Sequence, residues 1–311
     1  MLQIKLPARV LEDYFVASSV AEAVSYLDAQ QGEGRVVAGG TELMPALQRG
    51  ELRAHHLVDI SQIASLRKVF VSAEEIVLGG AVPLNRVVNH GELAARCALL
   101  SEAAGAIGTP RLRRLATVGG NLASGQGNSD VALALLTLDA EVEVAGYIGA
   151  QWLPVRALAM GGGQSRLDAT REVLTAVRFR PLGEGQGAAI VRLEADDAPA
   201  RAPLVGVALV SLQPPTDGTE WPVVQWASLG LGLAQSGPQR LSTLEEALVG
   251  APWPAARGVL ADGIRDVLLA LAAEHPAHQR LDEAVTLLAA CWDIACQRAI
   301  AAMPSGASHD A

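Results

Sequence analysis

Cysteine is scarce: Cys97, Cys291 and Cys296 are the only three in 311 residues, widely spread and with no C-x-x-C spacing. Such a set encodes neither a disulfide framework nor a zinc or iron–sulfur site, so this chain by itself is expected to hold no metal. Aromatic residues amount to 4%, which leaves few walls for a ligand stacked between rings. Basic side chains never form a dense run, and the formal net charge is −9 with a pI near 5.2. Nucleic acid and anionic membrane surfaces are therefore poor partners. Long apolar runs are missing too: Asp293, Gln297 and Arg298 interrupt the most apolar stretch, and no uncharged segment reaches the ~18 residues of a membrane span. Lys5, Arg9, Glu12 and Asp13 stand where an export signal needs a clean hydrophobic segment. A soluble, cytoplasmic protein is the expectation. Neither G-x-G-x-x-G nor the P-loop pattern occurs.

What the chain does have is apolar bulk. Half its residues are hydrophobic, 18% are charged and mean hydropathy is +0.27, far from the composition of a disordered chain. At this length two packed domains are expected. Apolar Val20, Ala23, Val24 and Leu27 follow a helical period behind Ser18 and Ser19. Then come a short strand at Arg35–Ala38, a glycine turn at Gly39–Gly40 and a helix that stops near Gly50. His56–Ile60 and Glu75–Leu78 read as strands, the latter running into Gly79–Gly80, and Ala94–Ile107 as one helix. Gly108-Thr109-Pro110 breaks that helix before a cluster of Arg111, Arg113 and Arg114.

The most unusual stretch follows. Ala116–Ala123 leads into the polar, glycine-rich Ser124–Ser129, and Asp130 stands at the N-cap position of an apolar helix, Val131–Leu138. Strict alternation in Glu141–Ala145 marks a half-buried strand, and Val173–Phe179 is another. Pro181–Gly187 is the most linker-like segment and sets the domain boundary. Beyond it, Leu204–Leu212 and Val223–Leu233 read as antiparallel strands, with helices at 244–248, 258–273 and 280–302.

Two glycine pairs, each between a strand and a helix, suit an anion, because glycine lets backbone N–H groups approach a phosphate. Taken singly, each pair is equally an ordinary turn. The residue pattern alone stops at a nucleotide-like cofactor.

Ala38-Gly39-Gly40-Thr41-Glu42-Leu43, followed by Ala116-Thr117-Val118-Gly119-Gly120-Asn121 and then Ser129-Asp130, resembles the FAD-binding (medium) subunit of molybdenum hydroxylases, the carbon monoxide dehydrogenase and xanthine dehydrogenase family. The resemblance runs over nearly the whole chain. It implies an α+β architecture: an FAD-binding fold of the vanillyl-alcohol-oxidase/PCMH type with two α/β subdomains (about 1–60 and 61–180), a C-terminal antiparallel sheet packed with helices (187–303), and a flexible tail (304–311). It further implies that Val36, Val37, Ala38, Gly39, Gly40, Thr41, Glu42 and Leu43 wrap the FAD diphosphate. Thr117, Val118, Gly119, Gly120 and Asn121 would contact the cofactor, and Asp130 would hydrogen-bond it. Leu174 would pack near the flavin ring, and Arg192 is the match to a basic residue beside the flavin. Each of the last three also has a plain reading: helix N-cap, core leucine and solvated strand-end arginine. Ala195–Arg201 departs from the family pattern.

By resemblance, the chain is the electron-transfer subunit of a heterotrimer. Its partners would be a large molybdopterin subunit, where substrate is oxidised, and a small subunit with two [2Fe-2S] clusters. Electrons would pass through FAD to NAD, O2, a quinone or another acceptor, and relatives commonly assemble as a dimer of heterotrimers. A free-standing oxidase of the same fold and a scaffold that has lost FAD are the alternatives. The first often tethers FAD through a histidine near the glycine loop, and none lies within Arg35–Gly50. His275 and His278 flank Pro276 without a third ligand, and Cys291 and Cys296 read as packed thiols on a helix.

Overall fold

The computed structural model describes residues 11–158, 164–194, 203–215, 220–233, 237–272 and 280–304. Ala195–Arg201, His275, His278 and the tail after Pro304 lie outside the described residues. The chain opens with β1 (Asp13–Val16), α1 (Val20–Ala29), β2 (Gly34–Val37), α2 (Leu43–Arg49) and β3 (His56–Asp59). These strands form a parallel sheet with β3 in the middle, flanked by β1 and β2. Ser19 caps α1 by accepting the Glu22 N–H, while the Glu22 carboxylate accepts from the Ser18 backbone and hydroxyl, so the helix start is satisfied in both directions. Val24 and Leu27 of α1 bury with Val58, Ile63 and Leu66 and with Val173 of the next unit.

That unit contains β4 (Val69–Val71), β5 (Ile76–Gly79), α3 (Leu84–Val88), α4 (Gly91–Arg96), α5 (Ala98–Ala106), α6 (Pro110–Arg113), α7 (Val118–Ala123), α8 (Asp130–Thr137), β6 (Glu141–Gly146), β7 (Gly149–Pro154) and β8 (Val173–Phe179). Its strands pair antiparallel in the order β4-β5-β8-β6-β7. The helix expected over 94–107 is two, parted at Cys97 (φ −155°, ψ 76°). Cys97 and Leu99 are both buried, and a continuous helix would set residues two apart on opposite faces. Arg113 then closes this region, its Nη1 donating to the carbonyls of Gly105, Ile107 and Gly108 at 2.9–3.0 Å.

The third part comprises β9 (Gln186–Leu193), β10 (Leu204–Gln213), β11 (Val223–Leu233), β12 (Gly237–Arg240), α9 (Ser242–Leu248), α10 (Trp253–Ala272) and α11 (Leu281–Ala301). Its antiparallel sheet runs β12-β11-β10-β9. The end of the linker-like segment, Gln186 and Gly187, belongs to β9, and a Cβ on Gly187 would strike the α11 backbone. Both faces of this sheet are covered. Val205, Val207 and Leu209 join the core of the preceding unit, whereas Ala208, Val210 and Leu212 pack with Leu288, Cys291, Trp292 and Ala295 of α11. That explains the unbroken apolar run of β10. α11 is long and apolar enough to cross a membrane by composition, and here it is the core helix of this layer. All three cysteines are free and buried; burial pushes Cys97 up to about 11, and Cys291 and Cys296 up to about 12.

Candidate functional site

The Gly39–Gly40 turn joins β2 to α2, and the Thr117 motif begins α7, almost eighty residues further on. Their meeting is a backbone-to-backbone contact. A Cβ on Gly39 would run into the Leu115 carbonyl, so only glycine permits the two segments to lie this close. Gly40 has φ +67° and its space is bounded by Met44 and Val37, a left-handed conformation that turns the chain into α2. Against the expectation of a second glycine loop, the second pair lies in the first turn of a helix. Thr117 is its N-cap, its hydroxyl accepting the Gly120 N–H at 3.1 Å.

Between the two motifs opens a cleft of about 650 Å3, the size of a small-molecule site. All eight residues Val36–Leu43 line it, together with Thr117, Gly120, Ala123, Ser124 and Gln126. Its far wall is Gln164, Ser165 and Leu167–Ala169, tied to β2 by the Val36 N–H donating to the Ala169 carbonyl at 2.9 Å. Across the opening, Gln126 Nε2 donates to Glu42 Oε2 at 2.9 Å, joining the first motif to the polar glycine-rich loop.

The rest of the second motif turns inward. Val118 and Gly119 are buried and donate to the carbonyls of Val82 and Gly80, and a Cβ on Gly119 would sit 2.7 Å from the Gly80 oxygen. Asn121 Oδ1 accepts from the Ser129 hydroxyl at 2.6 Å. Leu174 is buried in the core shared with α8, and its carbonyl sits against Gly80, where a Cβ would collide with it. Val118, Gly119, Asn121, Leu174, Asp130 and Arg192 are not among the lining residues.

Asp130 and Arg192 meet each other. Arg192 Nη1 donates to both Asp130 oxygens at 3.0 and 2.9 Å, and its Nε donates to Glu194 at 2.6 Å. Asp130 is not the N-cap of α8; the Ser129 hydroxyl, accepting from the Ala132 N–H, holds that place. The carboxylate is spent on Arg192 instead, and so pins α8 to β9. Burial raises the Asp130 carboxyl above its ordinary range, with Arg192 pulling the other way. Arg192 is paired on a strand and 30% exposed in its side chain, so it is no freely solvated arginine.

Among the cleft residues outside the motif-based expectation, Arg35 stands out. Arg35 lines the cleft, and its Nε is buried with no hydrogen-bond partner among the described residues. The other cleft arginine, Arg49, is already paired with Glu51 at 2.6 and 2.8 Å. A buried, unanswered N–H donor beside glycine-opened backbone suits an anionic ligand. The only signal in the sequence was adjacency, since Arg35 immediately precedes the first motif. A diphosphate-bearing cofactor such as FAD therefore fits the residues present.

Residues 8–181 match the family described as FAD binding domain in molybdopterin dehydrogenase. The carbon monoxide dehydrogenase medium chain of Hydrogenophaga pseudoflava is 28% identical over 182 residues, covering 58% of this chain and 63% of that protein. The xanthine dehydrogenase FAD-binding subunit of Escherichia coli O157:H7 is 29% identical over 169 residues, covering 54% of this chain and 57% of that one. The chain thus spans about three fifths of the length of these curated relatives. In three dimensions it superposes on a chain of the H. pseudoflava carbon monoxide dehydrogenase that lacks the Mo-pyranopterin moiety, with TM-score 0.81 and 22% identity, covering 93% of this chain and 98% of that chain. That likeness shows the fold.

Proposed function

The chain belongs to the family of FAD-binding domains of molybdopterin dehydrogenases, and from that premise we propose that it is the FAD-carrying electron-transfer subunit of a molybdenum hydroxylase. Its partners are a large molybdopterin subunit and a small [2Fe-2S] subunit, in a cytoplasmic complex built as a dimer of heterotrimers. An external acceptor such as NAD, O2 or a quinone takes the electrons. The observation that carries this reading is the cleft that brings the whole Val36–Leu43 segment together with Thr117, Gly120 and the unanswered Nε of Arg35. We divide the chain accordingly into an FAD-binding domain (1–180) and a C-terminal domain (187–303), with 304–311 as a tail.

FAD, when bound, supplies a two-electron carrier that can also exchange electrons one at a time. This chain's own residues bind and orient it. The Ala38–Thr41 backbone would accommodate the diphosphate, Thr117 and Gly120 would contact the cofactor from the opposite wall, and the Arg35 guanidinium would offset its charge. Asp130 and Arg192, paired with each other at the junction of α8 and β9, would be the polar groups offered to the flavin. Leu174 would be the apolar residue on the flavin side.

A visible spectrum of the desalted full chain, followed by that of the supernatant after acid denaturation, tests the reading. Released FAD without turnover of small alcohols or amines is the expected result. Flavin that stays on the denatured chain would indicate a covalent oxidase, and a colourless protein that cannot be reconstituted would leave the scaffold. Arg35→Gln should weaken FAD binding about tenfold, read by quenching of flavin fluorescence.

A further inference from the structure

Next to the first cleft, and parted from it by the bridge between Pro83 and Thr117, a second cleft of about 470 Å3 is walled by Arg67, Arg86, Arg114, His90, Asn85 and Asn89. No acidic side chain lines it, and it shares no residue with the first cleft. In a chain of net charge −9 this is a local reversal. Several arginines elsewhere sit on carboxylates, as Arg178 does on Glu141 and Arg298 on Glu102. Arg67, Arg86 and Arg114 have no ion pair among the described residues. Three like charges around one small cavity repel each other, and no carboxylate among the described residues pairs with them.

Several of the donors are held in place. Arg86 Nη1 donates to the Arg67 carbonyl at 2.6 Å and Arg67 Nη1 to the Ser61 carbonyl at 3.0 Å, so each fork has one arm tied to backbone and others left over. Asn89 Nδ2 donates to the Asn85 carbonyl at 2.6 Å. His90 caps α4 through Nδ1, which accepts the Leu93 N–H at 3.2 Å. A neutral ring then carries its proton on Nε2, so the free edge of the imidazole is a donor as well. Arg114, from the cluster that follows Pro110, makes no side-chain hydrogen bond among the described residues.

We propose that this cleft is a binding site for a small anion of the phosphate class carrying at least two negative charges. One negative charge would leave the three guanidiniums under-compensated. A phosphate group also offers three oxygens to donors arriving from three elements, whereas a planar carboxylate offers two. The site shares no residue with the first cleft and does not rest on the function proposed for it.

The test is calorimetric titration of sodium pyrophosphate into the full chain saturated with FAD, at ionic strength held constant with NaCl, for the wild type and for Arg86→Gln/Arg114→Gln. A single saturable event in the wild type, weakened about tenfold or more in the double variant at unchanged FAD content, is expected. Should the double variant fold poorly, Arg114→Gln alone removes a side chain that bonds to nothing in the described structure. No saturable binding by the wild type, or equal binding by wild type and variants, overturns the site. Citrate binding as tightly as pyrophosphate overturns the phosphate class. A chain that took up no FAD would defeat the flavin reading, yet the wild-type and variant titrations would still report on this cleft, because the two clefts share no residue.

Discussion

Gly39–Gly40 and Gly119–Gly120 look alike in the chain, each a glycine pair behind a short extended stretch, but they are glycine for different reasons. Gly40 needs a positive φ, and Gly39 needs the absence of a side chain so that the Leu115 backbone can lie against it. In the second pair neither residue has a positive φ. Gly119 is a packing position against Gly80, and Gly120 stands at the cleft with its N–H engaged by the Thr117 hydroxyl. The first pair is therefore a true turn that forms the cleft wall, and the second is a capped helix start with one face in the core. A glycine pair announces close approach; which group approaches is settled by segments distant in sequence.

Substitutions can break this comparison. Gly39→Ala should have the largest effect, because the new methyl meets backbone that has nowhere to move. A loss of about 3 kcal/mol in urea unfolding, together with loss of retained flavin, is expected. Gly40→Val comes next: a β-branched residue at φ +67° costs about 2 kcal/mol and should abolish FAD retention. Trp292 is fully buried in the C-terminal layer, and the near-UV signal of that layer should persist. Retention of FAD by Gly40→Val would refute the assignment of the first motif. Thr117→Ala should have the smallest effect, about 1 kcal/mol, the loss of one N-cap. Gly120→Ala should match it, since its Cβ would stand 2.9 Å from the Thr117 hydroxyl and disturb the same bond. A double variant costing no more than either single one would show that both act through that hydrogen bond; full additivity would mean that Gly120 has a separate role.

The contrast also shows what sequence could and could not convey. Val36–Leu43 was legible because all the information is local: strand, glycine turn, helix start. Which residues of the second motif face inward was not, because Val118 and Gly119 bond to Val82 and Gly80, strands and turns away. Asp130 and Arg192 could each be singled out, but their pairing spans 62 residues and no periodicity reports it. Arg35 was hidden in the middle of a strand, where alternation alone does not say which side is a cleft. Among the elements, the long periodic helices and apolar strands were readable, while β4, at three residues, is too short to carry a pattern. β9 was masked by the glycines at its start, one of which exists to admit α11.

Because Val205, Val207 and Leu209 complete a core that begins at Ile76, the chain has a sequence seam near Pro181 without an energetic one. Evolution could move the C-terminal layer as a cassette only by exposing an oily face on each side of the cut. The strands that carry the far helices thus finish the core on which the cofactor-side unit rests, so a change on one side of the seam is felt on the other.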